Sequence, residues 1–220
     1  MNAGISRSVG TVSQASVGLR SLFIAKVYGL LFAGLAVTVG VGYAIVEAGI
    51  VPPFGLLIIA SFICIIGLSF ARRTSGLNLL LFFAFAALEG ALLGPLLAQL
   101  SITRPGLATQ AAMLTLSVFG SLSAYVFISK KDFNFLGGML FVGLIGLLVS
   151  GIVMMLFNVS AMATVYSLFG ILIFSGFVLY DTSQIINRLS PDDVVTGAIE
   201  LYLDMLNLFM FILRLLNNRN

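Results

Sequence analysis

The chain has 220 residues, of which 60% are hydrophobic and only 9% charged, with 11 basic against 8 acidic side chains and a net charge of +3. A soluble domain carries about 25% charged residues, so this chain has too little polar surface to coat a water-facing globule. Soluble enzymes, nucleic-acid binders and disulfide scaffolds are excluded together, and a mean hydropathy of +1.16 agrees.

The apolar stretches run to roughly 20 residues, the length of a membrane-crossing helix, not the shorter alternating pattern of barrel strands. The expected fold is therefore an all-α integral membrane protein. Residues 1–20 form a polar tail without the apolar segment and cleavage site of a signal peptide. Seven spans follow in order: Ser21–Val46, Ile50–Ala71, Leu77–Leu97, Ala108–Ile128, Phe135–Phe157, Met162–Ile186 and Val194–Leu216. They make one membrane domain over 21–216, and 217–220 is a short C-terminal tail. Pro52–Pro53, Arg72 to Gly76, Arg104-Pro105-Gly106, Ser129 to Asp132, Asn158 to Ser160 and Asn187 to Asp193 separate the spans. Proline and glycine stop helices at such points by removing a donor or permitting a tight turn.

Lysine and arginine placement orients the chain. Arg7, Arg20, Lys26, Arg72, Arg73, Lys130, Lys131 and Arg188 fall on the side of the N-terminus, against Arg104, Arg214 and Arg219 on the other. The N-terminus is expected in the cytoplasm, while the side of the C-terminus depends on whether the last span crosses fully or re-enters. Gly90 and Gly94 form one close-packing step, and Gly143, Gly146, Ser150 and Gly151 line another, because small residues let backbones approach in lipid. The chain has no histidine and a single cysteine, Cys64, inside an apolar run, which leaves no disulfide and almost no zinc or haem ligands.

Four acids lie within the spans: Glu89, Asp181, Glu200 and Asp204. A charge at the centre of a span costs at least ~2.5–3.5 kcal/mol, so each is a functional candidate. Lys26, Glu47 and Arg214 lie near span ends, where long side chains reach the interface. Asp181 precedes Arg188 by seven residues and Asp204 follows Gly197 by seven, which at 1.5 Å per residue sets both carboxyls ~10 Å below the cytoplasmic boundary. Consecutive antiparallel helices at matched depth bring them together, with Arg72 the nearest counter-charge. Glu200, Asp204, Asn207 and Arg214 share one face of the last span. A polar stripe cannot face lipid, so the last helix is expected at the centre of the bundle beside a partly wet path that Glu89 could continue. Two carboxylates in contact at low dielectric cannot both ionise cheaply and so share a proton. Doubly ionised, they attract Arg72 or a divalent cation; singly protonated, they staple the last two helices together or serve only as interhelical glue.

The segment SAYVFISKKDFNFLGGMLFVGLIG, the run VLYDTSQIINR and the run ELYLDMLNLFMFILRLL resemble the Bax inhibitor family (transmembrane Bax inhibitor motif proteins), nearest its bacterial inner-membrane members. The resemblance covers the second to seventh spans. It implies a seven-helix bundle with the last helix central, residence in a bacterial inner membrane, and a pH-sensitive calcium leak. It also implies that Asp181 and Asp204 sense protons and that Arg72 latches onto them. Bacterial members of the family are linked to a membrane-embedded AAA protease, which gives the alternative of a non-transporting regulator.

A cation path through Glu89, Glu200 and Asn207, with Asp181 and Asp204 as oxygen ligands, suits calcium as a transported or weakly bound ion, and no cofactor is expected to bind tightly. The expected partners are the lipid bilayer and calcium, with no nucleic acid. An intramembrane aspartyl protease also places two aspartates on consecutive helices. Here the second stands in Leu203-Asp204 instead of G-x-G-D, and no Pro-Ala-Leu follows, so no enzymatic activity is expected.

Overall fold

A computed structural model describes residues 10–71, 76–157 and 162–218. Seven α-helices account for most of them: α1 (Val17–Glu47), α2 (Phe54–Ala71), α3 (Leu77–Thr103), α4 (Leu107–Ser129), α5 (Gly137–Phe157), α6 (Ala163–Asn187) and α7 (Val194–Asn218). No strand occurs among the described residues.

The helix ends follow local chemistry. Pro52 and Pro53 hold the chain extended, so α2 begins at Phe54 and not at Ile50. α3 runs on through Pro95 to Thr103, beyond the expected end at Leu97. Neighbouring helices make an internal proline tolerable in a membrane helix. Gly106, at φ 83°, supplies the left-handed residue that turns α3 into α4.

The helices α1 to α6 are each long and apolar enough to cross a membrane, which makes this a multi-pass membrane protein. The seventh expected span does not meet that description. α7 is the strongly amphipathic helix of the set, because Glu200, Asp204, Asn207 and Arg214 interrupt its apolar run. It packs against α1, α3, α4 and α6, and is buried on successive turns from Gly197 to Leu213. Among the described residues, α2 packs against α3 alone, and α5 against α6 and the short 3-10 turn that precedes it. Most of the apolar surface of these two helices is exposed, as lipid-facing helices require.

The last helix does not turn back. Arg104, in the α3–α4 turn, donates from Nη1 to the Asn217 carbonyl at 3.0 Å. A cation therefore satisfies an orphan carbonyl at the far end of α7 and opposes the negative end of its dipole. The α7 C-terminus lies at the end of the molecule opposite the α6–α7 loop.

Of the two small-residue stripes, the first packs as expected. A side chain on Gly90 would collide with the Thr38 backbone, and one on Gly94 with the Gly42 carbonyl oxygen at 2.5 Å. The second stripe is only half a contact surface. Gly143 faces Ile173 and Gly151 faces Tyr166, but Gly146 opens onto space and Ser150 is exposed. The N-terminal segment also differs from a free polar tail. Val12 is fully buried and donates its N–H to the Leu189 carbonyl at 2.8 Å, while Ser13 Oγ donates to the Asn187 carbonyl at 3.1 Å. The Ser13 bond caps the last residue of α6 and the Val12 bond holds the turn just after it, and α1 begins at Val17, ahead of the expected Ser21.

Candidate functional site

α6 and α7 are consecutive and antiparallel, and their facing sides carry the two aspartates. Asp181 is 8% exposed and Asp204 3%. Their carboxyl groups meet, as matched depth on adjacent helices requires. Asp204 Oδ2 is fully enclosed and receives no hydrogen bond from a described donor. An ionised carboxylate only accepts hydrogen bonds. Two such groups in contact have nothing to donate to each other, so a proton or a cation between them is what would make the contact favourable. The arrangement can hold one or the other.

The other acids and polar groups fall around this pair. Glu200 is half-buried one turn before Asp204, and its charge acts on that carboxyl. Asn207, expected on the ion path, is half-buried and donates from Nδ2 to the Leu203 carbonyl of its own helix at 2.8 Å. Arg214, the fourth member of the stripe, is exposed and lies over the Tyr166 ring at 5.3 Å. The stripe is thus buried at Asp204 and open at its far end. Arg72, the expected latch, lies outside the described residues. No cluster of three or more histidine, cysteine, aspartate or glutamate side chains occurs among the described residues. A cation at the pair would rely on Asp181 and Asp204 alone as charged ligands, a sparse set for calcium, which takes six to eight oxygens.

Glu89 stands apart from the pair. It is half-buried in α3, beside the Ser61 hydroxyl of α2 and within electrostatic reach of Tyr202 on α7. Tyr202 is fully buried against Phe82 and Phe85, and its hydroxyl meets Thr38 Oγ1 at 2.7 Å. Thr38 in turn reaches the carbonyls of Ala86 at 2.9 Å and Gly34 at 3.0 Å. One hydroxyl hydrogen on Thr38 cannot serve three oxygens, so Tyr202 is the donor to Thr38 whenever Thr38 donates to a carbonyl. A second polar cluster, Tyr28, Ser123 and Thr182, joins α1, α4 and α6 next to Asp181. Sequence reasoning missed Ser61, Thr38 and Tyr202. The signal for Ser61 was present, as a hydroxyl in a helix otherwise apolar from Phe54 to Leu68, whereas nothing in the sequence pairs Thr38 with Tyr202.

At the end of the molecule holding the α6–α7 loop, the α4–α5 connection docks on α6. Phe133 N–H donates to Ser183 Oγ at 3.0 Å, and Arg188 Nη2 pairs with Asp132 Oδ2 at 3.0 Å. The Asn134 backbone N–H and the Arg188 guanidinium hold the Asp132 carboxyl below its ordinary range.

Comparison with known proteins covers nearly the whole chain. The family profile described as "Inhibitor of apoptosis-promoting Bax1" matches residues 20–220. The "Golgi anti-apoptotic protein" of Vaccinia virus (strain Lister) is 36% identical over 218 residues, covering 96% of this chain and 91% of that protein. "Protein lifeguard 4" of Mus musculus is 35% identical over 217 residues, 95% of this chain and 90% of that protein. "Bax inhibitor 1" of Schizosaccharomyces pombe is 32% identical over 222 residues, 95% and 82% respectively.

Proposed function

The chain belongs to the Bax inhibitor family of membrane proteins, and from that premise we propose that it is a pH-sensitive cation leak with calcium as the transported ion. What carries this is the meeting of Asp181 and Asp204, both buried, with no described donor to Asp204 Oδ2. A pair that must hold either a proton or a cation makes helix contact depend on both concentrations, which is the property a proton-gated cation path needs. α7 runs inside the other helices as the wall of that path. The N-terminus faces the cytoplasm of a bacterial cell on the lysine and arginine distribution, and the α7 C-terminus faces the opposite side of the inner membrane. Arg72 is the counter-charge for the doubly ionised pair. The carboxylates act as sensor and ligand, not as acid and base in a hydrolysis.

The test is calcium entry into liposomes that hold the purified protein and a calcium-sensitive dye, recorded from acid to mildly alkaline pH. Flux above protein-free vesicles is expected, with its pH dependence flattened in Asp181→Asn and in Asp204→Asn. Unchanged pH profiles in both variants would remove the sensor role. Flux equal to empty vesicles at every pH would favour the non-transporting regulator.

A further inference from the structure

A cleft of about 260 Å³ opens between α2, the start of α3 and the start of α7, at the end of the molecule that holds the α6–α7 loop. Its polar lining is Ser69, Asn78, Thr196 and Glu200, and its inner wall is Ile65 and Leu203. The same faces continue deeper. Ser61 lies two turns below Ser69 on α2, a drop of about 12 Å, and Glu89 lies three turns below Asn78 on α3, about 17 Å. Those two side chains meet at depth.

Ser61 is 6% exposed, and its Oγ, though beside the Glu89 carboxyl, completes a hydrogen bond with no described group. Glu89 forms no ion pair among the described residues, where Arg188–Asp132 is the salt bridge present. Tyr202 lies within electrostatic reach of Glu89 from α7, and whenever Thr38 donates to a carbonyl the Tyr202 hydroxyl donates to Thr38 and keeps an oxygen lone pair for a ligand. A carboxylate, an unpartnered buried hydroxyl and a phenolic oxygen from three different helices are the donor set of a hard cation that keeps part of its water shell.

We propose that Glu89, Ser61 and Tyr202 form a cation-binding station deeper in the molecule than this cleft, whose own lining ends at Ile65 and Leu203, separate from the Asp181–Asp204 pair. The station deepens the leak proposal, on which it rests, by separating two tasks. The aspartate pair lies on the side of α7 that meets α6 and governs whether the helices hold together. The station lies on the side that meets α3, which α2 backs, and is where the cation pauses.

Terbium ions test this directly, because the chain has six tyrosines and no tryptophan, so bound terbium is sensitised by tyrosine alone. Full-length protein is titrated with terbium, then with calcium as competitor. Wild type should show an emission component that disappears in Tyr202→Phe and in Glu89→Gln, persists in the Asp181→Asn/Asp204→Asn double variant, and is competed by calcium. Ser61→Ala should weaken that component roughly tenfold, the scale on which losing a supporting ligand acts. Equal emission from wild type, Glu89→Gln and Ser61→Ala would overturn the station. Should Glu89→Gln lose its melting transition, Ser61→Ala decides by the same criterion. Liposome flux run in parallel separates the two proposals. A Tyr202-dependent terbium component without wild-type flux refutes the leak and leaves the station standing. Wild-type flux with an unaltered Glu89→Gln variant, in both flux and emission, refutes the station alone.

Discussion

The α1–α3 and α6–α7 seams are the two most extensive helix pairings in the molecule, and they are built from opposite chemistry. Between α1 and α3, Gly90 and Gly94 bring backbone against the backbone of Thr38 and Gly42, and Thr38 ties the two helices through the Ala86 carbonyl. The contacts at Gly90 and Gly94 are backbone against backbone and carry no titratable group. Between α6 and α7, two carboxyls meet at Asp181 and Asp204. The first seam is uncharged backbone contact; the second sets one carboxyl against another. A membrane protein that must change shape on a chemical signal needs both kinds, one fixed and one conditional, because lipid supplies no hydrophobic force to hold helices together by default.

The largest expected effect breaks the fixed seam. In Gly90→Leu the new side chain meets the α1 backbone, which cannot give as a flexible side chain can. Overpacking of ordinary cores costs ~1–3 kcal/mol, and a backbone obstacle sets this case at or above the top of that range. Thermal melting in detergent should show a destabilised or unfolded protein at every pH. A stable Gly90→Leu would mean that the α1–α3 seam adjusts and is not the fixed element.

The conditional seam should respond to charge instead of volume. Asp204→Asn is expected to melt at or above the parent temperature, since the amide supplies the donor that two carboxylates lack. Asp204→Ala should lose ~1–3 kcal/mol by leaving Asp181 unpaired in the interior. A melting temperature that falls equally in both variants would make the contact one of packing alone. Tyr202→Phe sits between the seams and removes one hydrogen bond to Thr38 while keeping the ring packed on Phe82 and Phe85. A loss of ~1 kcal/mol is expected, the usual net value of such a bond. Denaturant unfolding at fixed pH would register it, and a much larger loss would show that Thr38 depends on Tyr202 to hold α3.

The smallest effect concerns the loop that fastens α6. Asp132 and Arg188 are about half exposed, at 51% and 49%, so their pair is worth ~0.2–1 kcal/mol after screening. The folded carboxyl lies below its ordinary value of about 4, through the Asn134 N–H and then Arg188. The contribution is therefore complete above the unfolded value and fades as pH falls through the folded one. Asp132→Asn should melt slightly below wild type at neutral pH, and the two curves should converge in acid. A gap that persists in acid would assign the difference to the loop fold and not to the ion pair.

The sequence located the helices within a few residues, because long apolar runs cut by proline, glycine and basic clusters are local features. It also foresaw the meeting of Asp181 with Asp204, since a short loop between antiparallel helices fixes depth by counting. It did not foresee the buried Val12, which looks like any other residue of a polar segment and is fixed by its N–H bond to the Leu189 carbonyl just past α6. It assigned Gly146 and Ser150 to a contact face that they do not have.

The difference has one physical cause. Helices α1 to α6 are predominantly apolar, so apart from Glu89, Asp181 and the Gly90–Gly94 step their sequences carry length but little rotational phase. α7 is amphipathic, so its stripe told which face avoids lipid. Membrane residence and helix order were thus determined by the sequence itself. Which side of each apolar helix turns inward was decided only by packing. That choice set Gly90 on Thr38, Ser61 beside Glu89 and Tyr202 on Thr38, because close approach of backbones and the pairing of buried oxygens are satisfied at one rotation of each helix and not at the others.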